Sequence, residues 1–127
     1  MPLQCGDRLN HSTLVQGRPN VWVGYGVSRR WESGPEAIYA FETPATCQVV
    51  ARLKNLTVDL DLFLMTGCDP GSTTEFSSTP LDLQTIETVG FTSQPGQPYF
   101  VVVDGYSGAA GSYTLEVDCT CNESPAG

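Results

Sequence analysis

Between Thr57 and Met65 the chain reads Thr-Val-Asp-Leu-Asp-Leu-Phe-Leu-Met. Leu60, Leu62 and Leu64 share one parity; Asp59, Asp61 and Phe63 share the other. Successive side chains of a strand point to opposite faces, so a strand here turns the leucines into a core and sends the two aspartates away from it together. Asp is depleted in strands, and two of them two residues apart ask for a reason. One is a shared cation, for which Ca²⁺ is the best match to carboxylate oxygens. The other is a solvated outer face that keeps the strand soluble.

The rest of the chain repeats this period. Cys47–Lys54 alternates, with Cys47, Val49, Ala51 and Leu53 facing one way and Gln48, Val50, Arg52 and Lys54 the other. Ala37–Glu42 and Thr85–Phe91 read as strands. Pro98–Asp104 is an apolar run suited to a central strand covered on both faces, and Ser112–Cys119 alternates with Tyr113, Leu115, Val117 and Cys119 inward. Residues 1–20 are polar, with one short strand expected at Thr13-Leu14-Val15, and Val21–Tyr25 looks extended. Thr73–Leu83 has little pattern and reads as a long surface loop. Thirteen glycines and nine prolines punctuate the segments. No window has a helical period. Short strands separated by turn signals predict an all-β, antiparallel, jelly-roll-like β-sandwich of seven to eight strands. It forms one domain over residues 1–121, with 122–127 a tail or the start of a linker.

The formal net charge of −8 opposes nucleic acid and membrane surfaces rich in anionic lipid, and no apolar run is long enough for a membrane helix. Met1 is followed by Pro2-Leu3-Gln4-Cys5, without the basic and apolar regions of a secretion signal. Such a signal would already have been removed, or this is a piece of a longer chain. Five cysteines in 127 residues point to an oxidising compartment. Three of the four asparagines, Asn10, Asn55 and Asn122, head Asn-x-Ser/Thr sequences and are candidate glycosylation sites. A secreted, extracellular protein is expected.

Parity also suggests a disulfide. If Cys47–Leu53 pairs antiparallel with Tyr113–Cys119, placing Cys47 opposite Cys119 and Leu53 opposite Tyr113 makes both inward sets coincide. A slip by one residue would turn one set to water. A Cys47–Cys119 bridge is expected, with Cys5 joined to Cys68 or Cys121 and one thiol left over. The alternative ties Cys5 to Cys119 and leaves Cys47 to find Cys68.

Several motifs stand in one order: Cys5-Gly6, Gly34-Pro35-Glu36-Ala37-Ile38-Tyr39-Ala40-Phe41, Asp59-Leu60-Asp61-Leu62-Phe63-Leu64, Cys68-Asp69-Pro70, Glu87-Thr88-Val89-Gly90-Phe91, Pro95–Tyr106 and Gly108–Leu115. This series, covering about residues 5–119, resembles the bacterial pre-peptidase C-terminal domain family. The resemblance implies a jelly-roll-like accessory module of secreted proteins rather than a catalyst, of a kind that in some members binds Ca²⁺ and in collagenase relatives binds collagen. Relatives often carry a cysteine shortly after the tyrosine matched by Tyr25 and another after Cys-Asp-Pro. Val27 and Ser72-Thr73 stand in those regions here, while Cys47 and Cys121 are additional, so the family's disulfide plan does not carry over.

A hydrolase needs a base within reach of a nucleophile. His11 is the sole histidine, Gly105-Tyr106-Ser107-Gly108 lacks nucleophile-elbow spacing, and there is no His-Glu-x-x-His. The expected function is a non-catalytic extracellular module for adhesion, binding or spacing, with calcium as the expected stabiliser through Glu36, Asp59, Asp61 and Asp104. Trp31 and Tyr106 are candidate rings for a carbohydrate or matrix ligand. Expected partners are extracellular matrix, polysaccharide or other subunits of a secreted assembly, and a glycosylated fibre or coat subunit is the alternative.

Overall fold

The computed structural model describes residues 1–13, 36–67, 73–77, 86–105 and 109–121. They form nine strands: β1 (Pro2–Leu3), β2 (Arg8–Ser12), β3 (Ala37–Phe41), β4 (Cys47–Lys54), β5 (Leu60–Met65), β6 (Thr73–Ser77), β7 (Glu87–Ser93), β8 (Tyr99–Gly105) and β9 (Ser112–Cys121). A five-stranded sheet has the order β1-β3-β8-β5-β6 and a four-stranded sheet the order β2-β9-β4-β7. The chain changes sheet at every step except β5 to β6. The two-residue β1 runs parallel to β3; every other ladder is antiparallel.

The inner faces carry the alternating residues. Cys47, Val49, Ala51 and Leu53 of β4 meet Tyr113, Leu115 and Val117 of β9 in one sheet. Ala37, Tyr39 and Phe41 of β3, Leu60, Leu62 and Leu64 of β5, and Val101 and Val103 of β8 supply the other. All of these are buried, and removing a Leu or Phe side chain from water contributes about 1.5–3 kcal/mol. The expected strands at 37–42, 47–54 and 112–119 are present, the last two with their expected faces.

Three expectations change. The polar N-terminal stretch contains β2, which ends at Ser12; Thr13 lies in a turn, and Leu14 and Val15 of the strand expected at Thr13-Leu14-Val15 are outside the described residues. β2 carries Leu9 as its single aliphatic residue and sits at the sheet margin beside β9, so it has almost no periodic signal. The surface loop foreseen over 73–83 contains β6, which pairs with β5 across a register shift at Leu64/Met65. The side of β5 expected to face water is also buried. Asp61, Phe63 and Met65 are fully covered, and Phe63 and Met65 join Val102 in a second apolar cluster flanked by Ile38 and Phe100. β5 and β8 are thus interior on both faces. The extended segment expected at Val21–Tyr25 falls outside the described residues.

The Cys47–Cys119 bridge is overturned. The bridges are Cys5–Cys119 and Cys47–Cys121. The β4–β9 pairing is antiparallel as expected, but Cys47 lies opposite Cys121 and Leu53 opposite Leu115. This register differs from the expected one by two residues. Such a shift keeps every side chain on its face, so parity, which rules out a one-residue slip, cannot choose between the two. Cys119 instead meets Cys5, held beside β9 by bonds from Gly6 N to Val117 O (2.8 Å) and from Val117 N to Asp7 O (3.0 Å). Gly6 has φ +86°, a conformation that glycine adopts without penalty. Cys68 lies outside the described residues.

Charges cross the outer face of the four-stranded sheet. Glu116 Oε1 meets Lys54 Nζ at 2.6 Å and Arg8 Nη1 at 3.2 Å, and Arg52 Nη1 meets Asp118 Oδ2 at 2.6 Å. The Lys54 hydrogen bond holds the Glu116 carboxyl below its ordinary value. A depressed folded-state value gives stability that is complete at neutral pH and is lost as acid protonates the group. Glu116→Gln should therefore be slightly less stable than the parent at neutral pH, with the gap closing in acid. Denaturant titrations at neutral and acid pH measure this, and a gap that stays constant in acid contradicts it.

Candidate functional site

The expected calcium ligands come from three neighbouring strands. Asp61 of β5 and Asp104 of β8 are direct cross-strand partners. Ala37 pairs with Val103, so the ladder sets Glu36, one residue earlier, beside Asp104. Glu36, Asp104 and Asp61 thus form a row on the face of the five-stranded sheet away from the main core, and all three are fully buried. Asp104 Oδ1 accepts a hydrogen bond from Gly105 N at 2.8 Å. Asp59 precedes β5 and is half-buried. Among the described residues no group of three or more His, Cys, Asp or Glu side chains is placed to hold a metal ion. Trp31, Tyr106 and Asn122 lie outside the described residues.

Asn10 and Asn55, distant in sequence, come together. They line an open cleft of about 420 Å³ with His11, Ser12, Ser112, Tyr113 and Thr114. The end of β2 and the start of β9 form one wall, because Asn10 pairs with Thr114, His11 with Tyr113 and Ser12 with Ser112. The turn between β4 and β5 forms the other. Asn55 has φ 55° there, the left-handed region that Asn tolerates better than most residues. The turn reaches β9 because residue 111 is glycine: a Cβ there would stand 2.8 Å from Val58 Cγ2 and 2.9 Å from Thr57 Oγ1. Thr13 fastens the same point, its N donating to Gly111 O and its Oγ1 accepting from Gly111 N, each at 2.9 Å.

Two hydrogen-bond chains run through this end of the sheet, on opposite faces of it, because neighbours along β2 and β9 alternate. In the first, Asn55 Nδ2 donates to Thr114 Oγ1 at 3.0 Å, and Thr114 Oγ1 donates to Asn10 Oδ1 at 2.8 Å. In the second, the Tyr113 and Tyr39 hydroxyls lie 2.5 Å apart, and Tyr39 Oη lies 2.7 Å from His11 Nδ1. Burial pushes both phenols up. This chain crosses from one sheet to the other, since Tyr39 belongs to β3. His11 lies in β2, within the polar N-terminal stretch. Sequence reasoning marked Asn10 and Asn55 only as glycosylation acceptors; nothing local indicates that Thr114 joins them.

No family model and no curated protein sequence matches the chain. Solved structures do. The pre-peptidase C-terminal domain of a collagenase from Bacillus anthracis is similar with a TM-score of 0.59 and 14% identity over 92% of each chain. PliG from Aeromonas hydrophila, a periplasmic inhibitor of g-type lysozyme, is similar with a TM-score of 0.54 and 12% identity over 94% of each chain. The chain therefore has the β-sandwich fold seen in a pre-peptidase C-terminal domain.

Proposed function

We propose that this chain is a non-catalytic extracellular module that binds a polymer or protein outside the cell. The observation that carries the reading is a sandwich of accessory-domain fold fastened by two long-range disulfides, Cys5–Cys119 and Cys47–Cys121. Such bridges suit an oxidising compartment. One similar protein is a domain of a collagenase and the other inhibits a lysozyme, so matrix, polysaccharide and a secreted enzyme are the partner classes to try. The net charge of −8 favours a basic protein partner where the partner is a protein. The exposure of Asn10 and Asn55 favours the second reading, a glycosylated subunit of an extracellular fibre or coat.

Co-sedimentation with insoluble collagen, chitin, cellulose and peptidoglycan, alongside inhibition of a g-type lysozyme, tests the module. Retention by one of them, or inhibition, without release of soluble products is expected. Turnover of any of these polymers sinks the non-catalytic reading. Calcium is a further proposal, from the carboxylates of Glu36, Asp59, Asp61 and Asp104, although among the described residues they form no assembled metal-holding group. An ion bound only by the folded state raises the melting temperature by mass action. Equal melting temperatures in calcium and in chelator, with no calorimetric heat of binding, dispose of that part.

A further inference from the structure

We propose that the cleft between β2, β9 and the Asn55 turn is a binding site for a short neutral saccharide, an assignment that rests on the module reading and gives it a ligand class. The lining is the first reason. In a chain of net charge −8, it contains no Asp, Glu, Lys or Arg. An anion finds no cationic partner there and a metal ion no carboxylate. What the side chains on the face of Asn10 offer is two carboxamides, from Asn10 and Asn55, and the hydroxyl-bearing Ser12, Ser112 and Thr114. Carboxamides and hydroxyls both donate and accept. A sugar hydroxyl has the same dual character, so a polyol can satisfy such a surface at several points without burying a charge.

Pre-organisation is the second reason. The Asn55–Thr114–Asn10 chain uses one Asn55 N–H and one lone pair of the Asn10 carbonyl. The Asn10 N–H groups and the Asn55 carbonyl are not spent on it, and the chain fixes which way both amides point. Donors and an acceptor are thus set before a ligand arrives, which lowers the ordering cost of binding. A volume of about 420 Å³ falls within the range of about 300–1,000 Å³ typical of small-ligand sites.

The test is a magnetic-resonance titration of isotope-labelled protein made in a bacterial host without N-glycosylation. The probes are maltotriose, cellotriose, chitotriose and mannotriose at millimolar concentration. At least one should shift the Asn10 and Asn55 side-chain amides together. Thr114→Val, which breaks the amide chain but keeps the shape, should weaken that probe about tenfold, the equivalent of one hydrogen bond. Asn55→Asp removes the Nδ2 donor of the same chain at an exposed position and serves if Thr114→Val does not fold. Absence of shifts with all four probes, shifts elsewhere on the sandwich, or equal affinity in the folded variant overturns the proposal. Retention on a polymer without cleft shifts overturns the cleft but leaves the module reading standing. Protein secreted from eukaryotic cells separates the two sources of sugar. If a glycan maps to Asn10 or Asn55 and the cleft no longer responds to free probe, the occupant is the chain's own glycan and an external ligand is overturned. If it still responds, the external ligand is supported.

Discussion

Replacing Cys5 and Cys119 together by serine is expected to cost about 3–5 kcal/mol, because the lost bridge closes a loop of very large span. The two residues are 114 positions apart, and the unfolded chain gains almost all of that loop's freedom when the link goes. The total stability of a domain is about 5–15 kcal/mol, so the variant should unfold at far lower urea concentration, with an increased m-value from a more expanded unfolded state. The bonds from Gly6 N to Val117 O and from Val117 N to Asp7 O remain in the variant, so the segment keeps its place in the folded form. Connectivity is checked separately by non-reducing peptide mapping. Cys119 and Cys121 are separated only by Thr120, so the linked peptide must be fragmented between them. Cys5 found on Cys121, or Cys47 on Cys119, contradicts the β4–β9 register; a loss below 1 kcal/mol would mean that the unfolded chain is already compact.

The second large effect belongs to Phe63. Phe63→Ala should cost about 3–5 kcal/mol and Leu62→Ala about 2–5 kcal/mol. The two residues are adjacent on β5 and point to opposite faces, yet both are fully buried. Leu62 fills the main core; Phe63 packs with Met65 and Val102 in the cluster on the other side. A sheet with one solvated face would give a large loss for Leu62 and a small one for Phe63. Comparable losses by denaturant titration are therefore the mark of a face that is covered. A Phe63→Ala loss under about 1 kcal/mol, the scale of an ordinary surface substitution, would show that Phe63 stands in water.

The contrast between these residues shows what a single sequence can reveal. Alternation assigns parity, and parity was enough for β4 and β9 because each has one apolar and one mostly polar side. It was not enough for β5. Asp59 and Asp61 made its second face look wet, but whether a face is covered depends on the rest of the chain. Register was legible only modulo two, so Cys47 was placed opposite Cys119 instead of Cys121. The earlier strand end at Cys119 also hid Cys121, which β9 includes. Strands with little apolar content, β2 and β6, left no period to read. The cleft was the least legible feature. Asn10 and Thr114, which share a hydrogen bond, are 104 positions apart, and Asn55 and Thr114 are 59 apart. Each is an unremarkable polar residue in its own neighbourhood, and only the β2–β9 and β4–β9 ladders bring them together.

The position of β9 in the four-stranded sheet governs how the molecule can be made. It lies between β2 and β4, and it receives both disulfides at its far end. A ribosome delivers β2 and β4 long before β9 exists, at about 5–20 residues per second. Until then the two strands that should flank it have a gap between them, and Cys5 and Cys47 wait as thiols whose correct partners have not been synthesised. Meeting each other first is the obvious oxidative error, and undoing it requires thiol exchange on a scale of seconds to hours. Maturation should therefore depend on how long oxidation is delayed. An early oxidant should trap a Cys5–Cys47 species, whereas a late one closes both bridges on a sheet already assembled, sealing the fold without guiding it.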